Sequence, residues 1–173
     1  MFLTGNFLYT AEKISAVCEK GNVIFIVNDR PDIAIISGAH GIHVGQDDIP
    51  LGRLMFLTGQ SLVTGVSTQS VDEAAAALDA DYIAVGPVFT TGSKTGIDGS
   101  VLPATGIEEV KKICSLTDKP VVAIGGINLS NAAVLLEAGV SSLAVISALF
   151  AGGNLQSSTR DFLNIIKSFK RPS

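Results

Sequence analysis

This chain has no tryptophan, only two cysteines and two histidines, and few charges: 16% of its residues are Asp, Glu, Lys or Arg. Each shortage removes a class of protein. The scarcity of charge sits beside 47% hydrophobic residues, which excludes a disordered chain. Basic residues are outnumbered, 12 Lys and Arg against 16 Asp and Glu, and the net charge of −4 speaks against a nucleic-acid-binding surface. Cys18 and Cys114 sit on expected helices without metal-type spacing. Buried free thiols in a reducing cytoplasm are therefore expected, rather than a disulfide. His40 and His43 have no neighbour at metal-ligand spacing. No apolar run approaches the roughly 20 residues of a membrane span. The start, MFLTGNFLYT, lacks the basic flank of a signal peptide. What remains for 173 residues is one globular domain with room for a sizeable core.

Glycine is plentiful, at 18 residues, as many short strand-to-helix turns require. Six apolar runs read as strands: Val23–Val27, Gly41–Val44, Leu62–Val66, Tyr82–Val85, Val121–Ile124 and Ser142–Ile146. VIFIV at 23–27 has the unbroken β-branched and aromatic character of a strand covered on both faces. Helices are expected over Ala11–Lys20, Asp32–Ser37, Pro50–Leu57, Val71–Leu78, Gly106–Cys114, Asn131–Ala138 and Thr159–Phe169. Thr10 and Ser70 read as N-caps. Ile14, Val17 and Cys18 form one apolar face of the first helix, and residues 1–10 receive no assignment. MFLTGNFLYT at 1–10 matches MFLTGQSLVT at 55–64 in seven positions of ten, but nothing extends the match into a repeat.

Six strands thus alternate with seven helices, and no hairpin turn joins two strands. Such alternation predicts an α/β fold with parallel strands and right-handed crossovers. An open doubly wound sheet and a (β/α)8 barrel both fit, although a complete barrel has eight strands.

Polar residues recur where the strands end: Asn28 and Asp29, Asp48, Ser67, Gly126 and Ser147, with Lys94 beyond the fourth strand. In parallel α/β folds that face binds ligands. The segment Tyr82–Lys94 runs from a buried strand through Gly86-Pro87 into Thr90, Thr91, Ser93 and a single cation, Lys94. Backbone freedom, hydroxyl donors and a positive charge make a phosphate or diphosphate cradle, and equally a solvated loop. Asp29 and Asp48 are hard oxygen ligands suited to Mg²⁺. Each also precedes a helix and is a candidate N-cap, but the pair beside a lysine loop favours the metal. Gly125-Gly126 and Ser147 suit a phosphate held on backbone N–H groups, or a tight turn and a cap. His43 reads as a core or hydrogen-bonded structural residue, and His40 as a solvated turn residue. No serine–histidine nucleophile pair is recognised.

These motifs together resemble thiamine-phosphate synthase, a (β/α)8-barrel family related to the thiazole tautomerases. The matching segments are FIVNDRPDIA (25–34), GIHVGQDD (41–48), GVS (65–67), DYIAVGPVFTTGSK (81–94), PVVAIGGIN (120–128) and AVIS (144–147), spread over about Ala11 to Phe150. The resemblance implies a transferase of thiamine biosynthesis that joins hydroxymethylpyrimidine diphosphate to thiazole phosphate and releases diphosphate. It implies that Asn28, Ser67 and Lys94 contact the diphosphate and that Asp29 and Asp48 hold Mg²⁺. Thr91 and Ser93, with the backbone of Gly126, Ile146 and Ser147, would bind the thiazole phosphate. Lys94 and Ser67 are then the catalytic candidates. The reaction requires no nucleophile or strong base, which agrees with the absence of a triad.

The match departs from the family in two places. The family's full chain begins with a further strand, helix and strand, the second strand ending in a Gln-x-Arg-x-Lys motif. Residues 1–10 contain no such motif, and Lys13 and Lys20 do not replace it. The expectation is one N-terminally truncated barrel domain over 1–173, with about six strands and two open edges. Such a barrel completes itself as a homo-oligomer, comes from a shortened gene, or folds weakly. Impaired turnover, or a non-catalytic phosphate-ligand-binding remnant, is the alternative that the missing cations raise. At the second departure Gln69 stands near where related tautomerases have a histidine, which weighs against a thiazole tautomerase.

Overall fold

The computed structural model describes residues 4–59, 61–91 and 101–169. The chain packs as two compact units, Met1–Ser67 with Asp79–Asp81, and Thr68–Leu78 with Tyr82–Ser173.

The first unit opens on helix α1 (Thr4–Gly21). Strands β1 (Ile26–Asn28), β2 (Gly41–Val44) and β3 (Val63–Thr68) come next, separated by helices α2 (Pro31–Ile36) and α3 (Leu51–Thr58). The pairing is parallel, with Ile26 opposite Gly41 and Asn28 opposite His43. Gly41 in turn lies opposite Val63, and Val44 opposite Val66. Ile33, Ile42, Val44 and Leu54 form the core of this unit, each at most 1% exposed. Burying side chains of this size contributes about 1.5–3 kcal/mol each.

Two expectations change here. The strand expected over Val23–Val27 shrinks to Ile26–Asn28, and Val23 and Ile24 are 55% and 67% exposed. The reason is register: β2 begins at Gly41, opposite Ile26, so residues 23–25 have no strand beside them on that side. Helix α1 starts at Thr4, seven residues before the expected Ala11, and of the expected face of Ile14, Val17 and Cys18 only Cys18 is half-buried, the other two being exposed. Val17 is 70% exposed and only Ala11 is buried.

Asp81 closes the first unit. Its backbone N–H donates to the Thr64 carbonyl at 2.9 Å. Its Oδ2 accepts from Thr64 N at 2.7 Å and from Thr64 Oγ1 at 2.8 Å. Thr64 is buried, at 3% exposure. Removing the carboxylate strands two buried donors, so Asp81→Ala is expected to destabilise the protein by about 1–3 kcal/mol. Denaturant unfolding measures this; Asp81→Asn, which keeps an acceptor, should lose less.

The second unit contains α4 (Val71–Ala76), β4 (Tyr82–Val85), α5 (Ile107–Leu116), β5 (Val121–Ile124), α6 (Ala132–Glu137), β6 (Ser142–Ala144), α7 (Ser147–Phe150) and α8 (Leu155–Ser168). Its strands are also parallel, with Ile83 opposite Val121 and Val122 opposite Ser142. Ile83, Val85, Val110, Ile113 and Leu135 are fully buried, at 0% exposure. The start of α4 shows why Ser70 is a cap. Ser70 Oγ accepts from Glu73 N at 3.2 Å, and Glu73 Oε2 accepts from Gln69 N at 2.7 Å. Glu109 Oε1, from α5, accepts from Val71 N at 3.0 Å. Two N–H groups that a helix start leaves without partners, those of Val71 and Glu73, are thereby satisfied, as is that of Gln69 just before the cap. That bond from Val71, helped by Lys112, holds the Glu109 carboxyl below its ordinary value.

Helix α8 begins at Leu155 rather than the expected Thr159, because Asn154 Oδ1 accepts from Ser157 N at 3.0 Å and caps it. The short α7 is an addition, so the described residues contain eight helices rather than seven. Cys18 and Cys114 form no disulfide with each other, and are half-buried rather than buried. No helix among the described residues is long and apolar enough to cross a membrane. The architecture is the expected α/β fold of incomplete (β/α)8 type, with six strands among the described residues, three in each unit, parallel within each.

Candidate active site

In the first unit the expected diphosphate and metal residues stand at the C-terminal ends of their strands. Asn28 is the last residue of β1 and is exposed. Asp29 comes next in the left-handed region, with φ 62°. A non-glycine residue there costs about 1–3 kcal/mol unless its surroundings hold it. Here the Asp29 N–H donates to the His43 carbonyl at 2.8 Å. Arg30, the next residue, is engaged by Asp32 through Nε and Nη2 at 2.8 and 2.6 Å. That pairing raises the Arg30 pKa and lowers that of Asp32.

Asp48 is half-buried, and its Oδ2 accepts from Gly45 N at 2.7 Å, closing the turn after β2. Among the described residues no side chain or backbone group pairs with its Oδ1. Neither aspartate stands at a helix N-cap position. The N-cap of α2 is Arg30 and that of α3 is Pro50, and neither makes a side-chain cap bond. The N-cap positions expected for the two aspartates are thus taken by other residues. Among the described residues no three His, Cys, Asp or Glu side chains come together as a metal cluster.

Ser67 is half-buried near the end of β3. His43 Nε2 lies 2.8 Å from its hydroxyl, and Gln46 Nε2 donates to its carbonyl at 2.6 Å. His43 is thus hydrogen-bonded, as expected, but its partner is a serine, so a serine–histidine contact exists that the sequence pattern does not reveal. His40 is exposed, and its Nδ1 accepts from Phe25 N at 3.0 Å instead of merely facing solvent.

In the second unit the loop after β4 runs against the end of β5. Gly86-Pro87 is a cis peptide. Val88 N donates to the Ile124 carbonyl at 2.9 Å, and Phe89 N to the Gly125 carbonyl at 3.1 Å. This contact explains the glycine pair. A Cβ at Gly126 would lie 2.7 Å from Phe89 Cβ and 2.9 Å from the Phe89 and Thr90 carbonyl oxygens, at a φ of +67°. The Gly126 carbonyl accepts from Asn131 Nδ2 at 3.1 Å. Its N–H, and those of Ile146 and Ser147, have no acceptor among the described residues. Thr91 is half-buried in the same unit, while Ser93 and Lys94 lie outside the described residues. Gly126→Ala combines a close backbone contact with a left-handed φ, so it is expected to cost at least about 2 kcal/mol of stability. Thermal unfolding checks it.

Gln69 sits at the start of α4, its backbone N–H bound by Glu73. Tyr82 in β4 is half-buried, and burial pushes its phenol up to about 12.

Residues 3–149 match the family model described as thiamine monophosphate synthase. The thiamine-phosphate synthase of Methanospirillum hungatei JF-1 is 40% identical over 158 residues, covering 90% of this chain and 75% of that protein. The thiamine-phosphate synthase of Coprothermobacter proteolyticus is 39% identical over 163 residues, covering 93% of this chain and 75% of that protein. Among solved structures, the thiamine phosphate pyrophosphorylase of Pyrococcus furiosus superposes with a TM-score of 0.88 at 31% identity, over 99% of this chain and 81% of its own. With the family model spanning most of the sequence and the fold shared at that level, the chain belongs to the thiamine monophosphate synthase family.

Proposed function

We propose that this chain, acting as one catalytic domain over 1–173, joins hydroxymethylpyrimidine diphosphate to thiazole phosphate and releases diphosphate. The observation that carries this reading is the family match over residues 3–149. Its support in the fold is the set of polar residues at successive strand ends.

Asn28 and Ser67 bind the diphosphate, with Lys94 as its cation. Thr91, Ser93 and the N–H groups of Gly126, Ile146 and Ser147 bind the thiazole phosphate. That these three N–H groups have no acceptor among the described residues supports the role, since phosphate oxygens are acceptors only. The bond between the pyrimidine methylene carbon and the diphosphate oxygen breaks, and the thiazole nitrogen forms the new bond to that carbon. Ser67 and Lys94 stabilise the charge gathering on the departing oxygens.

Asp29 and Asp48 are the residues that would hold Mg²⁺. They fit it: Asp48 Oδ1 has no protein partner among the described residues, and Mg²⁺ takes one or two carboxylates beside phosphate oxygens and water. When bound, the ion supplies charge neutralisation for the leaving diphosphate.

The cytoplasm is the proposed compartment, supported by two cysteines that are not joined in a disulfide. Self-association is proposed too, supported by exposed apolar side chains such as Val17 and Phe56, the latter 87% exposed.

Incubation of the purified protein with Mg²⁺ and both substrates tests the activity. Thiamine phosphate and diphosphate are expected in equal amounts. A folded protein that forms neither above background would remove the assignment.

A further inference from the structure

Two side chains of the GIHVGQDD segment reach Ser67 from the β2 side. His43, inside β2, places Nε2 2.8 Å from Ser67 Oγ. Gln46, in the turn after β2, donates Nε2 to the Ser67 carbonyl at 2.6 Å. That turn is itself held, because Asp48 Oδ2 accepts from Gly45 N at 2.7 Å.

We infer that His43 and Gln46 are positioning residues for Ser67. Gln46 fixes its backbone, and His43 donates Nε2–H to its oxygen, so that the single hydroxyl proton is aimed at a diphosphate oxygen. This rests on the reading of Ser67 as a diphosphate contact. The chemistry then leaves one arrangement. A diphosphate oxygen only accepts, and a serine hydroxyl has one proton to give. If Ser67 gives it to the ligand, Ser67 Oγ is the acceptor toward His43, and His43 must have its proton on Nε2. The opposite polarity, Ser67 donating to a bare Nε2, is that of an activated nucleophile and leaves nothing for an anion. The brace therefore selects ligand binding over nucleophilic use of the same serine.

The test is calorimetric titration of the full chain with inorganic diphosphate and Mg²⁺, run on the parent, His43→Leu, His43→Gln, Gln46→Ala and Ser67→Ala, and on the double variants with Ser67→Ala. His43→Leu is expected to weaken binding roughly tenfold, the scale of one hydrogen bond to a charged ligand. His43→Gln can present an amide donor in place of Nε2 and should stay within about threefold of the parent. In the Ser67→Ala background both His43→Leu and Gln46→Ala should cost nothing further. In turnover the KM for the pyrimidine diphosphate should rise while that for the thiazole phosphate stays put. Equal losses with and without the Ser67 hydroxyl would overturn the inference, as would a parent that binds no diphosphate. Gln46 is exposed, so Gln46→Ala keeps the cycle readable if His43→Leu does not fold. Coupled binding in a parent without turnover would sink the proposed reaction and leave the brace standing.

Discussion

Asp29→Asn is expected to slow thiamine phosphate formation about 10²-fold, the scale of losing one electrostatic contact in such a site, while leaving the unfolding midpoint nearly unchanged. Two properties of residue 29 separate in this variant. The first is conformational: Asp29 holds φ 62°, and its N–H is tied to the His43 carbonyl at 2.8 Å. Asparagine enters that region as readily as aspartate, so the backbone bond survives. The second is charge, which the proposed Mg²⁺ requires and an amide does not supply. Asp29→Ala should slow the reaction as much, and lose about 1 kcal/mol of stability besides, because alanine is strained in the left-handed region. Asp29→Gly should be as slow as the other two yet recover that stability. The Mg²⁺ concentration at half-maximal rate should rise in any variant with measurable turnover. An asparagine variant as fast as the parent would remove Asp29 from the metal site.

The strands inside continuous ladders were legible from sequence. Gly41–Val44, Tyr82–Val85 and Val121–Ile124 have the bounds their apolar runs suggest, since each has a paired strand along its length. The run at 23–27 misleads because hydrophobicity does not report where the neighbouring strand begins. MFLTG makes the same point. At 55–59 its glycine takes φ 58° and ends α3, whereas Gly5 lies inside α1. A glycine in the same local sequence serves both, so the difference comes from the chain around it. The site divides in the same way. Asn28, Asp29, Asp48 and Ser67 were visible as polar residues at the ends of apolar runs, which needs only local pattern. The contacts of Ser67 with His43 and Gln46 cross 24 and 21 residues of chain, and depend on the register of β3 against β2. Which residues occupy the N-cap positions, Arg30 and Pro50 rather than the two aspartates, likewise depends on the folded backbone.

Lys94→Ala is expected to slow transfer by about 10²-fold or more, principally in kcat. The diphosphate leaves as an anion, and its charge grows on the oxygens as the bond to the pyrimidine methylene carbon stretches. A cation in contact with those oxygens therefore gains more in the transition state than in the bound substrate, and its loss appears in the rate more than in KM. Between Tyr82 and Val101 the sequence offers no other lysine or arginine, so no neighbour on that loop can substitute. Lys94→Arg keeps the charge but replaces a compact ammonium by a planar fork, and an intermediate rate is expected. The KM for the thiazole phosphate should change little if Thr91, Ser93 and backbone N–H groups bind it. Single-turnover measurement with both substrates saturating separates the chemical step from product release. A Lys94→Ala variant whose single-turnover rate equals the parent's would take the lysine out of the mechanism and leave the departing charge to the Mg²⁺ proposed at the two aspartates.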